Sequence, residues 1–215
     1  DYVVLTASNE AQAQAYRAQI SYRLKHQMLP EKTHYAVLPD PDGKRVGSGG
    51  ATLNVLRYIR EHAAGMQSPA AVPHGAVQGD GAAEGDGAVE SRQLESAQPG
   101  EAACHAFDGK RILVIHSGGD SKRVPQYSAC GKLFSPVPRI LPNGRRSTLF
   151  DEFMIAMCGV AARMNAGMLV CSGDVLLLFN PLQIDFYGKG AAALSIKEPA
   201  EIGKNHGVYR RDREG

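Results

Sequence analysis

One stretch of this chain constrains its fold more than any other: an apolar strand that runs directly into a glycine pair. Residues 111–116 read Arg-Ile-Leu-Val-Ile-His, a β-branched and apolar run that predicts a strand. The loop that follows reads Ser117-Gly118-Gly119-Asp120-Ser121-Lys122-Arg123. Because glycine has no Cβ, the backbone N–H groups of such a loop can approach an anion closely. The sequence therefore predicts an anion-binding loop at the end of a strand.

Further strands and helices alternate along the chain. Apolar runs predict strands at 2–5, 35–38, 168–171, 192–196 and 207–209, and helices are predicted after Asn9, from Gly47 and over 148–164. This alternation predicts a three-layer, Rossmann-like α/β fold with a mostly parallel sheet. Ligands bind at the loops that follow the carboxyl ends of strands in such sheets, which is where the glycine pair falls.

The predicted helices carry signals at their ends and along their faces. Asn9 is predicted to cap the first helix with Gln12 as its capping-box partner, and Pro30 to stop it. Its apolar stripe consists of Tyr16, Ile20, Leu24 and Met28. The second helix is predicted to place four residues on one face: Thr52, Leu56, Ile59 and Ala63. Acidic residues at 151 and 152 suit the first turn of the third helix.

A change in composition marks an insertion at about 65–108. The segment is rich in Gly, Ala, Pro, Gln and acidic residues, and from 65 to 106 it has no aromatic residue and no Ile. Such a segment cannot bury enough apolar surface to offset the entropy of ordering it. We therefore predict a flexible insertion that interrupts a single domain spanning 1–215.

Charge and cysteine usage limit the classes of protein to consider. A net charge of +2 excludes a nucleic-acid binder that relies on overall basicity. The four cysteines are scattered and form no C-x-x-C, which favours reduced thiols and a cytoplasmic protein. No apolar run of about 18 residues is present, so we expect no membrane span. The chain starts within a strand-like run without a Met, and we expect it to be part of a longer protein.

Three cations accompany the glycine pair: Lys122, Arg123 and Lys132, which follows Gly131. Backbone amides with Lys and Arg side chains suit a di- or triphosphate, although a solvated turn with incidental charges is the alternative. A Walker A loop is excluded, because Gln126 and Leu133 stand where Gly and Ser or Thr are needed. A dinucleotide fingerprint at Gly47 is excluded too, because its third glycine is replaced by Thr52.

Two further features are candidates for a site. Gly47, Ser48, Gly49 and Gly50 form a second glycine loop at a helix N-terminus, a fair place for an anion or a base edge, although a tight turn explains it as well. Asp174 follows a strand after Ser172 and Gly173, where a carboxylate would hold Mg²⁺ or would simply cap a turn.

Four motifs together resemble one enzyme family. They are the run from Pro39 to Asn54, the run from His116 to Pro125 with Gly131-Lys132, the run from Ser172 to Leu176, and Asn205-His206-Gly207-Val208. They resemble the L-fucokinase/GDP-fucose pyrophosphorylase family, in the N-terminal part that carries fucose-1-phosphate guanylyltransferase activity. The glycine-loop motif is also distantly similar to sugar-nucleotide pyrophosphorylases, which have a GT-A-type nucleotidyltransferase fold. The insertion is not part of that family pattern.

The resemblance implies a reaction in which GTP and L-fucose 1-phosphate give GDP-L-fucose and pyrophosphate, with Mg²⁺. It implies catalytic roles for Arg123 and Lys132 and a metal-binding role for Asp174. The nucleotide would be held by Gly47, Ser48, Gly49, Gly50, Ser117, Gly118, Gly119, Asp120, Ser121 and Lys122. Asn205, His206 and Gly207 would lie towards the sugar, and the rest of the sugar pocket would come from the remainder of a longer chain. The alternatives are a sugar kinase of the same family and a non-catalytic nucleotide-binding module.

Overall fold

The computed structural model describes residues 1–66, 68–73, 105–119, 125–127, 131–176, 179–184, 190–205 and 208. The chain divides into two compact units, 1–185 and 186–215. Within the described residues the strands are β1 Tyr2–Ala7, β2 His34–Pro39, β3 Arg111–His116, β4 Pro136–Ile140, β5 Arg146–Thr148 and β6 Gly167–Ser172. The α-helices are α1 Glu10–Lys25, α2 Gly47–Ala63 and α3 Leu149–Ala161.

Four of these strands form a parallel sheet in the order β2-β1-β3-β6. The chain leaves β1 on one side to form β2 and returns on the other side to form β3. A reversal of this kind opens a crevice at the carboxyl ends of the two central strands, which is where such sheets bind ligands. The register sets Thr6 of β1 beside His116 of β3, and His116 beside Ser172 of β6. The crevice is therefore bordered by the loops that begin at these residues.

Helices cover both faces of the sheet. Val55, Tyr58 and Ile59 of α2 pack against Val4 and Val114 on one face. On the other face α1 and α3 lie next to each other, because Arg23 of α1 forms a buried ion pair with Asp151 of α3. The predicted three-layer α/β fold with a mostly parallel sheet is thus confirmed. The antiparallel pair β4 and β5 stands outside the main sheet and leads into α3.

The observed ends of α1 agree with the predicted ones except in two details. The Asn9 side chain accepts a hydrogen bond from Gln12 N at 2.9 Å, as predicted. The Gln12 side chain, however, accepts from Ser8 N rather than from Asn9, so the capping box is shifted by one residue. Tyr16, Ile20 and Leu24 are buried as predicted. The helix ends at Lys25, before Met28 and well before Pro30.

The predicted face of α2 is wrong by about one residue. The buried residues are Ala51, Val55, Tyr58 and Ile59, whereas Thr52 and Leu56 are half-buried and Ala63 is exposed. The apolar stripe includes the small Ala51 and the amphipathic Tyr58, so the rotation of the helix was not evident from large aliphatic residues alone. The consequence matters for the site, because Thr52 is left facing the end of β3.

The strand predicted at 192–196 is wrong. Residues 191–199 have no regular structure, and Ile196 is 81% exposed. Strands need a partner for their backbone groups, and the described part of the unit 186–215 offers none. Val208, from the strand predicted at 207–209, is exposed and outside any strand, and its two neighbours lie outside the described residues.

The described part of the predicted insertion packs against the sheet. Val72 N donates to Tyr35 O, and Val37 N donates to Ala70 O, so residues 70–72 extend along β2. Ala70 and Val72 are buried, and Ala106 is buried at the other margin. Residues 67 and 74–104 lie outside the described residues, and their flexibility stays a prediction. Among the described helices, none is both long and apolar enough to cross a membrane.

Candidate functional site

The loop after β3 is held against the end of β1. The Ser117 hydroxyl donates to Thr6 O at 2.8 Å, and Ser117 N donates to Thr6 Oγ1 at 3.3 Å. The hydroxyl of buried Tyr16 donates to Ser117 O at 3.1 Å. A Cβ on Gly118 would lie 3.1 Å from the backbone of Ala7 and Ser8, which is too tight a contact for most side chains. Glycine at 118 therefore allows this loop to pass close to the backbone at the end of β1.

The second glycine loop forms the first turn of α2, as predicted. Gly47, Ser48 and Gly49 are exposed, and no side chain caps this end of the helix. The first turn also lacks an acidic residue. Uncapped amides at a helix N-terminus carry a partial positive charge and suit an anion. The Thr52 hydroxyl donates to Ser48 O at 2.9 Å and so fixes the turn from within.

His116 joins the two loops, and sequence reasoning did not identify this role. Its Nε2 lies 3.0 Å from Thr52 Oγ1 on α2, and its Nδ1 lies 3.3 Å from Thr6 Oγ1 on β1. The one available signal was a polar residue at the end of an otherwise apolar strand. Burial lowers the pKa of His116, and the nearby carboxylate of Asp40 opposes that shift.

Asp40 brings the loop after β2 to the same place. Its backbone N donates to Ala7 O at 2.8 Å, so the residue stands at the end of β1. Burial raises the pKa of its carboxyl group, while the positive charges of Arg45 and His116 oppose the increase. The crevice thus contains a half-buried carboxylate that faces two basic groups.

Lys132 and Asp174 meet although 42 positions separate them in the chain. Lys132 Nζ lies 3.7 Å from Asp174 Oδ2, and the Ser172 hydroxyl donates to Asp174 Oδ1 at 2.7 Å. Both side chains remain accessible, with 33% and 53% exposed. Gly173 N donates to His116 O at 2.8 Å, which fixes the loop after β6 to the end of β3. The structure therefore brings Lys132 and Asp174 together beside the loop that begins at Ser117.

Seven further predicted site residues remain predictions. Asp120, Ser121, Lys122 and Arg123 lie outside the described residues, as do His206 and Gly207. Asn205 is the last residue of a short 3₁₀ helix, Ile202–Asn205, in the unit 186–215.

Asp174 fits a particular kind of magnesium site. The described residues contain no group of three or more His, Cys, Asp or Glu side chains that could hold a metal. Magnesium, however, is commonly bound through one or two carboxylates, with water and substrate phosphates as its other ligands. An accessible carboxylate beside a glycine loop matches that donor set. The ammonium group of Lys132 lies on the Oδ2 side of this carboxylate.

A large apolar cavity lies at the opposite end of the sheet. It has a volume of about 860 Å³ and is lined by residues such as Leu29, Ile112, Met154 and Met157. It touches the amino ends of β1 and β3, away from the glycine loops. Parallel sheets bind ligands at the carboxyl ends of their strands, so we place the candidate site there and not in this cavity.

A family model and several known proteins are similar to this chain. A family model described as the fucose pyrophosphorylase domain matches residues 105–215. This range includes β3, the loop that holds Lys132 and the loop that holds Asp174. The bifunctional fucokinase/GDP-fucose pyrophosphorylase of Arabidopsis thaliana is 32% identical over 97% of this chain and 18% of its own length. The fucose-1-phosphate guanylyltransferases of Mus musculus and Homo sapiens are 30% and 31% identical over 97% and 99% of this chain.

The chain spans less than a third of each of these relatives, since it covers 29% of the mouse protein and 28% of the human protein. No solved structure matches it. The family model covers just over half of the chain, including β3 and the loops that hold Lys132 and Asp174. On this basis the chain belongs to the fucose pyrophosphorylase family.

Proposed function

We propose that the protein containing this chain forms GDP-L-fucose and pyrophosphate from GTP and L-fucose 1-phosphate. The main observation behind the proposal is that Lys132 and Asp174 lie beside the Ser117–Gly119 loop at one edge of the sheet. The chain that has this arrangement belongs to the fucose pyrophosphorylase family. Relatives named for fucokinase/GDP-fucose pyrophosphorylase and for fucose-1-phosphate guanylyltransferase support it.

The chemistry is a nucleotidyl transfer. A phosphate oxygen of the sugar phosphate attacks the α-phosphorus of GTP, the bond from that phosphorus to the bridging oxygen breaks, and pyrophosphate leaves. The protein needs to position two anions and to stabilise charge, and it needs no covalent intermediate. Local positive charge must therefore offset the repulsion between the substrates in a chain whose net charge is only +2.

The predicted site residues would divide this work between them. Amides of the Ser117–Gly119 loop and of the first turn of α2 would bind the phosphates of GTP, with Asp120, Ser121 and Lys122 continuing the first loop. Arg123 would stabilise the leaving pyrophosphate. Lys132 would turn from Asp174 to the α-phosphate or to the phosphate of the sugar. Asn205, His206 and Gly207 would lie towards fucose, together with parts of the longer chain.

Asp174 would hold Mg²⁺, which when bound supplies positive charge to the phosphate oxygens. This role explains why a carboxylate stands in a site that otherwise attracts anions. We further propose that the protein acts in the cytoplasm, as its scattered free cysteines suggest; Cys158 and Cys171 are both unpaired.

The test measures pyrophosphate release by the full-length protein with GTP, ATP, UTP or CTP and several sugar 1-phosphates. We expect GTP with L-fucose 1-phosphate to give the highest kcat/KM, and chelation of Mg²⁺ to abolish turnover. ADP formation from ATP and free fucose without pyrophosphate release would instead support a kinase. Nucleotide binding without either product would support a non-catalytic module.

Charge removal tests the assigned roles. Lys132→Ala and Arg123→Ala are each expected to lower turnover by at least about a hundredfold, because each removes a charge that contacts the transition state. The matched control is Lys25→Ala, which removes an exposed lysine in the last turn of α1, at the far end of the sheet. Near-normal turnover in both site variants would contradict the roles assigned to these cations.

A further inference from the structure

We propose that His116, as the neutral Nε2–H tautomer, is a positioning residue that holds the Gly47–Gly50 turn and the Ser117–Gly119 loop in one fixed arrangement for GTP. The inference rests on the proposed function and deepens it. It adds a residue that touches neither substrate and acts through the backbone of both glycine loops.

The tautomer follows from the direction of the hydrogen bonds. The Thr52 hydroxyl donates its one hydrogen to Ser48 O, because a carbonyl oxygen can only accept. Thr52 Oγ1 must therefore accept from His116 Nε2–H across the 3.0 Å contact. A neutral imidazole then has an acceptor at Nδ1, and the Thr6 hydroxyl donates to it at 3.3 Å.

The chain of bonds continues into the other loop. Ser117 N donates to Thr6 Oγ1, which is the acceptor left free once the Thr6 hydroxyl has donated to His116. A directed series therefore runs from Ser117 N–H through Thr6, His116 and Thr52 to Ser48 O. Every donor and acceptor in the series has one partner, so the two glycine loops share a single satisfied network.

The charges around His116 are consistent with the neutral ring. Asp40, after β2, is the carboxylate that faces it, and Arg45 in turn faces Asp40. Burial outweighs the pull of Asp40, so the pKa of His116 lies below its usual value. A proton added at Nδ1 would give Thr6 Oγ1 two donors and leave the Thr6 hydroxyl hydrogen without its acceptor. Protonation therefore breaks the series at its centre.

The Thr52 hydroxyl provides the cleanest variant. Thr52→Val keeps the shape of a half-buried side chain and removes the bonds to Ser48 O and His116. We expect the Kd and the KM for GTP to rise about tenfold, the effect of about one net hydrogen bond, while kcat changes far less. Thr52→Ser keeps the hydroxyl and is expected to restore the KM to within about twofold of the wild-type value.

A double-mutant cycle separates positioning from general destabilisation. His116→Phe is expected to raise the KM for GTP by a similar factor, and adding Thr52→Val to it is expected to raise it little further, since both changes break one series. The matched control is His34→Phe. His34 contacts Tyr58 OH of the same helix at 2.7 Å, at the amino end of the sheet. We expect the control to lower stability and to leave the KM unchanged.

Nuclear magnetic resonance tests the inference without any catalytic readout. Two-bond ¹H–¹⁵N correlations of the imidazole in the full-length protein are expected to show a neutral His116 protonated at Nε2 at pH 7.5. An Nδ1–H tautomer, or an unchanged Kd for GTP in Thr52→Val, would overturn the inference. A wild-type protein that binds GTP but releases no pyrophosphate would overturn the proposed function alone, because tautomer and Kd would still report on His116.

Discussion

Gly131→Ala is expected to be among the most destabilising single-methyl additions in the described part of this chain. Gly131 precedes Lys132 with φ 69° and ψ 160°, a backbone region that is populated almost only by glycine. A Cβ built there would overlap the hydroxyl of Tyr16 and lie 2.7 Å from its Cζ. Tyr16 cannot simply move aside, because it is fully buried and its hydroxyl donates to Ser117 O.

The expected magnitude has two parts. Holding a residue with a Cβ in this backbone region costs about 1–3 kcal/mol. Forcing a buried side chain out of a packed position costs about another 1–3 kcal/mol. We therefore expect the free energy of unfolding to fall by about 4 kcal/mol, and for a chain of 215 residues each kcal/mol lowers Tm by about 2–4 °C.

Two controls isolate these parts. Gly144 also has a positive φ, 79°, but a Cβ there would have no atom within 4 Å. Gly144→Ala is therefore expected to show the backbone part alone, about 1–2 kcal/mol. Tyr16→Leu removes all three Tyr16 atoms that the new methyl would meet, so Gly131→Ala is expected to cost about 2 kcal/mol less in that background.

The assay is equilibrium unfolding in urea, followed by circular dichroism, for the four proteins of the Tyr16 and Gly131 cycle and for Gly144→Ala. An unchanged m-value is required for the midpoints to report stability. Equal losses for Gly131→Ala and Gly144→Ala, or additive effects of Tyr16→Leu and Gly131→Ala, would show that the tyrosine does not restrict residue 131.

Two further predictions concern buried charge and pH. Arg23→Met leaves the buried carboxylate of Asp151 without its cationic partner and is expected to lower the free energy of unfolding by about 3–5 kcal/mol. Adding Asp151→Asn removes the buried charge, keeps an oxygen that can accept from Thr148 N at the helix cap, and is expected to recover much of the loss. A double variant as unstable in urea as Arg23→Met would argue against the ion pair. The folded state lowers the pKa of His116 from 6.5, so its contribution to stability is present above pH 6.5 and is lost as the pH falls through the folded pKa. The KM for GTP is expected to rise as the pH falls over the same window. A KM that does not change with pH, measured in the protein with Asp40 and Arg45 unsubstituted, would contradict this prediction.

The elements that could be predicted from the sequence are those decided by neighbouring residues. A run of consecutive apolar and β-branched residues marks the buried strand 111–116, and a contact three residues along the chain forms the Asn9 cap. The third helix was also predictable, because Thr148 and Asp151 form a reciprocal capping box at its start. The strand expected at 192–196 failed for the converse reason: strands depend on a partner that local sequence does not specify.

The positions of the loops at the candidate site could be predicted in part. Strand ends and glycines marked the loops, and parallel topology explains why Lys132 and Asp174 meet at one edge. The links between the loops were not predictable, because His116 bonds to residues 64 and 110 positions away. Tyr16 was counted in an apolar stripe, and its hydroxyl gave no sign that it reaches residue 117, which is 101 positions along the chain.

Tyr16→Phe tests whether the Tyr16 hydroxyl holds the loop in place or whether only the buried ring contributes to the structure. The ring packs against Phe134 at 5.2 Å between centroids, and this contact survives the change, whereas the bond to Ser117 O is lost. We expect about 1 kcal/mol of destabilisation and faster hydrogen exchange at the amides of Gly118 and Gly119, with exchange in β1 unchanged. If the ring alone mattered, exchange in this loop would match the wild-type protein. If the hydroxyl holds the loop, the KM for GTP rises in the same variant, because the amides proposed to bind phosphate are no longer fixed against β1.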